Sequence, residues 1–206
     1  MNTFRFSTLL TAALLISISA FSQSNSKPMK LQPQQAAPGF ATTDVYGKPV
    51  SLSGLAGQKV LLSFERNAGC PICNLHVHQL LQQADALRAA NTTVVLVYQS
   101  SARNMLDYLA QEKLPFVFIA DPNNKLYNLY GIEQSGGKMM KGMFNGAMSK
   151  MKAGKKLFSK KIAMDGPSTT IAADFLIDPR GVLTAVHYGR YLGDQLSPEA
   201  VLKLVQ

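Results

Sequence analysis

The sequence predicts an α/β domain, a central mixed β-sheet flanked by helices and carrying a basic helical insertion. Three observations lead there. Strand-like and helix-like stretches alternate between residues 59 and 131, then give way to an antiparallel hairpin and a last helix. The first long strand, Lys59–Phe64, is aliphatic at most positions, as suits a strand covered on both faces. Residues 134–164 break the rhythm with eight lysines and no acid, so most of the formal +9 charge gathers in one segment. With 206 residues, 47% hydrophobic and 16% charged, the chain can bury a full core and is no disordered polyelectrolyte.

Residues 1–22 read as a secretory leader. Arg5 is its one cation, residues 9–20 form an apolar run too short to span a bilayer comfortably, and Ala20 and Ser22 supply small residues before a cleavage point near Ser22–Gln23. Export to the periplasm or outside the cell is expected. Residues 23–37, QSNSKPMKLQPQQAA, are polar and aperiodic and read as a flexible tether. The folded domain is expected over residues 38–206.

Within it, apolar residues bracket a Tyr46-Gly47-Lys48 turn and predict a short hairpin. After Lys59–Phe64, the stretch NAGCPIC opens a helix running to about Ala90, with Leu75, Leu80, Leu81, Ala84 and Leu87 at helical spacing. A β-branched strand follows over Thr92–Tyr98, then a helix over residues 102–112 and a strand over 116–120. Asp121-Pro122-Asn123 makes a turn before a short helix that ends at Gly131. Residues 175–177, the turn Asp178-Pro179-Arg180-Gly181 and residues 182–187 form a hairpin. Ser197 caps the final helix, with Pro198 at its first position. Asp121 and Asp178 both precede proline, so turn and cap chemistry accounts for them without catalysis.

The chemistry is carried by Cys70 and Cys73, which fall where the strand gives way to the helix. Unpaired backbone N–H groups and the positive end of the helix dipole favour an anion there. A free thiol titrates near ~8.5, while Cys-x-x-Cys thiols at helix starts fall to roughly 3.5–7.5. Pro71 suits the first helical position. Two sulfurs on one turn can close a disulfide or hand on a mixed disulfide. An inert buried pair, or half of a zinc site, is the bland alternative for a lone Cys-x-x-Cys. The preceding strand, the internal proline and the leader favour redox chemistry.

These residues resemble a known family. APGFATTDVYGKPVSLSGLAGQKVLLSF, then RNAGCPICNLHVHQL, then DFLIDPRGVLTAVHYGRYLGD are similar to the opening, the Cys-Pro-x-Cys signature and the closing hairpin of peroxiredoxin-like AhpC/TSA redoxins. The resemblance implies a thioredoxin-like fold of the peroxiredoxin-like variant. It implies a thiol-dependent oxidoreductase that uses Cys70 and Cys73, takes a peroxide or protein disulfide as substrate, draws on a thiol electron donor and needs no cofactor.

The chain departs from the pattern at telling places. Peroxiredoxins carry a hydroxyl residue three positions and a proline seven positions before the attacking cysteine; with Cys73 in that role, Cys70 and Arg66 stand there instead. Ala172 stands where such enzymes place an arginine, and a thioredoxin-type proline is missing near the same strand, Pro167 lying further back. Arg66 is the local candidate to supply charge and donors to a breaking O–O bond. His187, Arg190 and Asp194 could approach across the sheet, although strand packing is the ordinary role for His187. Thioredoxin logic makes Cys70 the attacking thiol, whereas peroxiredoxin logic makes it Cys73.

A copper- or zinc-binding redoxin is the runner-up, with Cys70, Cys73 and His76 as ligands, since Cys73 and His76 share a helix face. The insertion reads first as a lid with methionines inward and lysines solvated. Its second reading is weak contact with an anionic membrane surface. Nucleic acid is not expected, because aromatic residues are sparse there. Phosphate-loop and Ser/His/Asp nucleophile motifs are missing.

Overall fold

The computed structural model describes residues 29–110, 114–157 and 162–206. The expected leader, the first part of the tether and a short stretch of the insertion lie outside them.

A small hairpin pairs β1 (Ala41–Thr43) with β2 (Pro49–Ser51), and Asp44 Oδ1 accepts from Tyr46 N and Lys48 N at 2.9 Å to close the turn. The main sheet has five strands in the order β5 (Val117–Ala120), β4 (Thr92–Tyr98), β3 (Lys59–Phe64), β6 (Ala173–Ile177), β7 (Leu183–Tyr188). β3 runs parallel to β4 and antiparallel to β6, which makes the sheet mixed. Its aliphatic sequence follows from its central place: Val60, Leu62 and Phe64 point into one core, Leu61 into the other.

The first core lies beneath α1 (Pro71–Leu81), α3 (Ala102–Leu109) and α7 (Pro198–Val205), and both cysteines belong to it. The second lies beneath α4 (Lys125–Leu129) and is rich in aromatic side chains, with Phe64, Phe175, Tyr127 and Tyr130 packed at ring-centroid distances of 5.1–5.7 Å. Asp121 caps α4 by accepting from Lys125 N, Leu126 N and Tyr127 N. Ser197 caps α7 through Ala200 N. The turn and cap roles read for these residues are the ones they play.

Two expectations change. The long helix to Ala90 is two helices, α1 and α2 (Ala84–Ala89), because Gln83 leaves helical backbone geometry at φ −111° and ψ 10°. The residues that α1 buries are Ile72, Cys73, Asn74, His76, Val77 and Leu80, and Leu75 of the predicted stripe is only half-buried. The tether, where described, is docked. Gln34 N donates to Leu183 O, Leu183 N to Gln35 O and Ala37 N to Gly181 O, each at 2.8 Å. β7 is an edge strand whose unpaired backbone groups would otherwise face solvent, and this segment satisfies part of that edge.

The insertion is a helical hairpin, α5 (Gly136–Phe144) and α6 (Ala147–Lys155), and it lies over the start of α1.

Candidate active site

The strand-to-helix junction gathers the three residues singled out in the sequence. Cys70 is the N-cap of α1, and its sulfur accepts from Cys73 N at 3.3 Å, a position where the helix dipole favours a thiolate. Arg66 Nη2 donates to Cys70 Sγ at 3.1 Å, Arg66 Nη1 donates to Ser168 O at 2.7 Å, and Arg66 N donates to Cys73 Sγ at 3.4 Å. One arginine thus touches both thiols and is pinned by the segment leading to β6.

The environment separates the two thiols. Burial resists ionisation of Cys70, but donation by the Cys73 thiol, the Arg66 charge and hydrogen bond, and the Cys73 backbone N–H together bring it down to about 7. Cys73 is pushed well above the ordinary thiol value, first by burial, then by donating to Cys70 and by the negative charges of Cys70 and Glu65. Burial also opposes the Arg66 charge, yet the two sulfurs hold its guanidinium more firmly protonated than water would. Cys70 is therefore the more readily ionised of the two thiols, and Cys73 the one that holds its proton more firmly.

Beneath the cysteines lies a buried polar network that sequence reading missed. Ser63 and Asp174 face each other across β3 and β6 and bond at 2.6 Å. Glu65 accepts from His76 Nδ1 and Gln195 Nε2, both at 2.7 Å, and Asp174 accepts from Leu196 N at 2.8 Å. Burial opposes a charge on His76, but Glu65 outweighs it by charge and hydrogen bond, with help from Asp174, and His76 is pushed up to about 9. As an imidazolium it donates from both nitrogens, to Glu65 and, at 3.0 Å, to Leu196 O. The only forewarning was composition: a polar Ser63 in a largely aliphatic strand and a Glu65 directly after its end.

That geometry corrects the metal reading of His76. Its ring lies in the sheet's polar network with both nitrogens spent, and it brings no lone pair to the sulfurs. Among the described residues no three His, Cys, Asp or Glu side chains form a metal-holding group. His187, Arg190 and Asp194 likewise bind one another: His187 Nε2 to Asp194 O at 2.7 Å and Arg190 Nε to Asp194 Oδ2 at 2.9 Å. They shape the loop against which the insertion leans.

Neither sulfur is open to solvent: Cys70 is 0% exposed and Cys73 2%. The cover is backbone laid on backbone. A Cβ on Gly154 of α6 would stand 1.8 Å from the carbonyl oxygen of Pro71, between the two cysteines, and one on Gly142 of α5 would stand 2.5 Å from Leu192 Cβ. Met139 and Met151 pack inward, Met139 with its sulfur 3.7 Å from Arg66 Nη1. The lid expectation meets its match in position, but not in every methionine: Met140, Met143, Met148 and Met164 face solvent.

Comparison with known proteins gives this arrangement its relatives. Peroxiredoxin Q of Oryza sativa subsp. japonica is 26% identical over 103 residues, 50% of this chain and 48% of that one, so the chain spans about half the length of that curated relative. Among solved structures, Peroxidoxin BcpB of Mycobacterium tuberculosis superposes with a TM-score of 0.60 at 15% identity, over 85% of this chain and 96% of that one. A thiol:disulfide interchange protein of the thioredoxin family from Chlorobium tepidum TLS does so with a TM-score of 0.53 at 18% identity, over 86% and 97%. These likenesses establish the thioredoxin-like fold. Residues 33–186 match the AhpC/TSA family, well over half of the sequence, and the chain belongs to that family.

Proposed function

We propose that this protein is an exported thiol-dependent peroxidase in which Cys70 attacks and Cys73 resolves. The observation that carries the reading is the 3.1 Å contact from Arg66 to the sulfur of Cys70, the thiol whose ionisation falls to about 7. The Cys70 thiolate displaces the distal oxygen of a hydroperoxide: an S–O bond forms, the O–O bond breaks, and the leaving alkoxide takes a proton to become the alcohol. Arg66 supplies the donors and charge that the departing oxygen needs. Cys73 then attacks the Cys70 sulfenic acid, releasing water and forming the disulfide, which a thiol donor reduces by exchange. The burial of both sulfurs favours a small oxidant over a folded protein disulfide. Export rests on the leader read over residues 1–22.

The test is to treat the reduced protein with one equivalent of hydrogen peroxide and weigh it. The native chain is expected to lose two hydrogens. Cys73→Ser is expected to gain one oxygen, held on Cys70 and captured by dimedone, while Cys70→Ser stays unoxidised on that timescale. A Cys70→Ser variant that consumes peroxide as fast as the native protein overturns the reading, as does fast reaction with a protein disulfide alone.

A further inference from the structure

The hairpin of α5 and α6 has two outward faces that the fold does not use. α5 turns Met139 and Gly142 toward the domain and leaves Met140, Met143 and Phe144 outside, at i, i+3 and i+4, with Phe144 84% exposed and Met140 62%. α6 turns Ala147, Met151 and Gly154 inward and presents Met148, Lys152 and Lys155 at i, i+4 and i+7. Met148, Ser149, Lys152, Lys155 and Lys156, with the edge of the half-buried Met151, line an open groove of about 680 Å³. A lid needs only its inner face. An outer face of methionine, phenylalanine and lysine, in a segment with no acid over residues 134–164, is organised for something else.

We propose that the outer face of this hairpin docks on an anionic lipid bilayer. Charge decides the sign of the partner. Lys138 is paired with Glu133 and Lys150 donates to Gly193 O, but Lys152, Lys155 and Lys156 gather on the outer face of a segment that carries no acid of its own, and such a face favours an anionic surface. The exposed apolar side chains then decide between a bilayer and a soluble polyanion. Lysines alone would serve an acidic protein, whereas Phe144 and the outward methionines gain free energy only where they enter an apolar phase. The docking is peripheral, since among the described residues no helix is long and apolar enough to cross a membrane. The proposal stands apart from the redox chemistry, and either can fail without the other.

Full-length protein is mixed with phosphatidylcholine vesicles, with and without phosphatidylglycerol, and the bound fraction is read by flotation. Binding is expected only with the anionic lipid and is expected to fall as salt rises. Replacing Lys152, Lys155 and Lys156 together by Gln should weaken partitioning on the order of a hundredfold, at roughly fivefold per lysine. Phe144→Ser with Met143→Ser should weaken it even though every charge is kept. All variants should retain native thermal unfolding and two-hydrogen oxidation, because these side chains face outward. Three results overturn the proposal: equal binding to both vesicle types, as an apolar leader alone would give; binding unmoved by both variant sets; or capture of an acidic polypeptide that depends on the lysines but not on Phe144, with no vesicle binding.

Discussion

Arg66 is the residue on which the site turns, because its guanidinium touches one sulfur while its backbone N–H touches the other. Arg66→Met should raise the Cys70 ionisation from about 7 toward the ordinary thiol range, followed by ultraviolet absorbance of the thiolate. It should also slow peroxide consumption at neutral pH on the order of a hundredfold, as removal of a preorganised donor does. Arg66 and the cysteines were legible in the sequence, because four-residue spacing and a helix start are local facts. Glu65, Asp174 and Gln195 were not, since only the pairing of β3 with β6 and the return of the chain before α7 bring them together. The His76 imidazolium in that network gives a second prediction. Its folded-state value of about 9 lies above the ordinary 6.5, so its contribution to stability is complete below about 6.5 and is lost as pH rises through about 9. Cys70 acts oppositely in the reduced protein: its depressed value adds stability as pH rises and withdraws it as pH falls through about 7. Chemical denaturation of Cys70→Ser across this range should therefore show the declining His76 limb alone, and His76→Gln should flatten it.

At the level of elements, the contact between α6 and α1 is the sharpest fit in the molecule. Gly154→Ala forces a methyl group against the Pro71 carbonyl, so the hairpin must lift or shift. The expected cost is about 1–3 kcal/mol of stability. Alkylation of Cys70 by a small maleimide should become faster, read by quenched labelling with a melting curve on the same sample. The sequence told that residues 134–164 were an insertion with helical character, because charge and composition shift there. It did not tell which methionines face inward. Met139 and Met140 are adjacent and chemically alike, and the rotation of α5 is fixed by tertiary contacts, the approach of Gly142 to Leu192 and the bonds of Lys138 to Glu133 and Gly189 O among them. The break between α1 and α2 was hidden for a related reason: Leu80 and Leu87 sit seven apart, a spacing that a continuous helix satisfies equally well.

For the molecule as a whole, alternating strands and helices announced the doubly covered sheet, but the path of the chain before the domain was misread. Polar composition suggests a tether; an edge strand with unpaired backbone groups makes even a polar segment worth docking. Lys30 bonds Glu133 at 3.0 Å and Leu31 N donates to the Tyr188 hydroxyl at 3.0 Å. A chain lacking residues 29–37 should consequently unfold at lower temperature than the full chain, checked by calorimetry at matched pH. The closed hairpin also bears on throughput. In the proposed peroxidase cycle the buried sulfurs must be bared to oxidant and then to donor, so the frequency with which α6 parts from Pro71 would set a ceiling that no excess of peroxide can raise. Turnover plotted against oxidant should level off at a plateau shared by hydroperoxides of very different intrinsic reactivity.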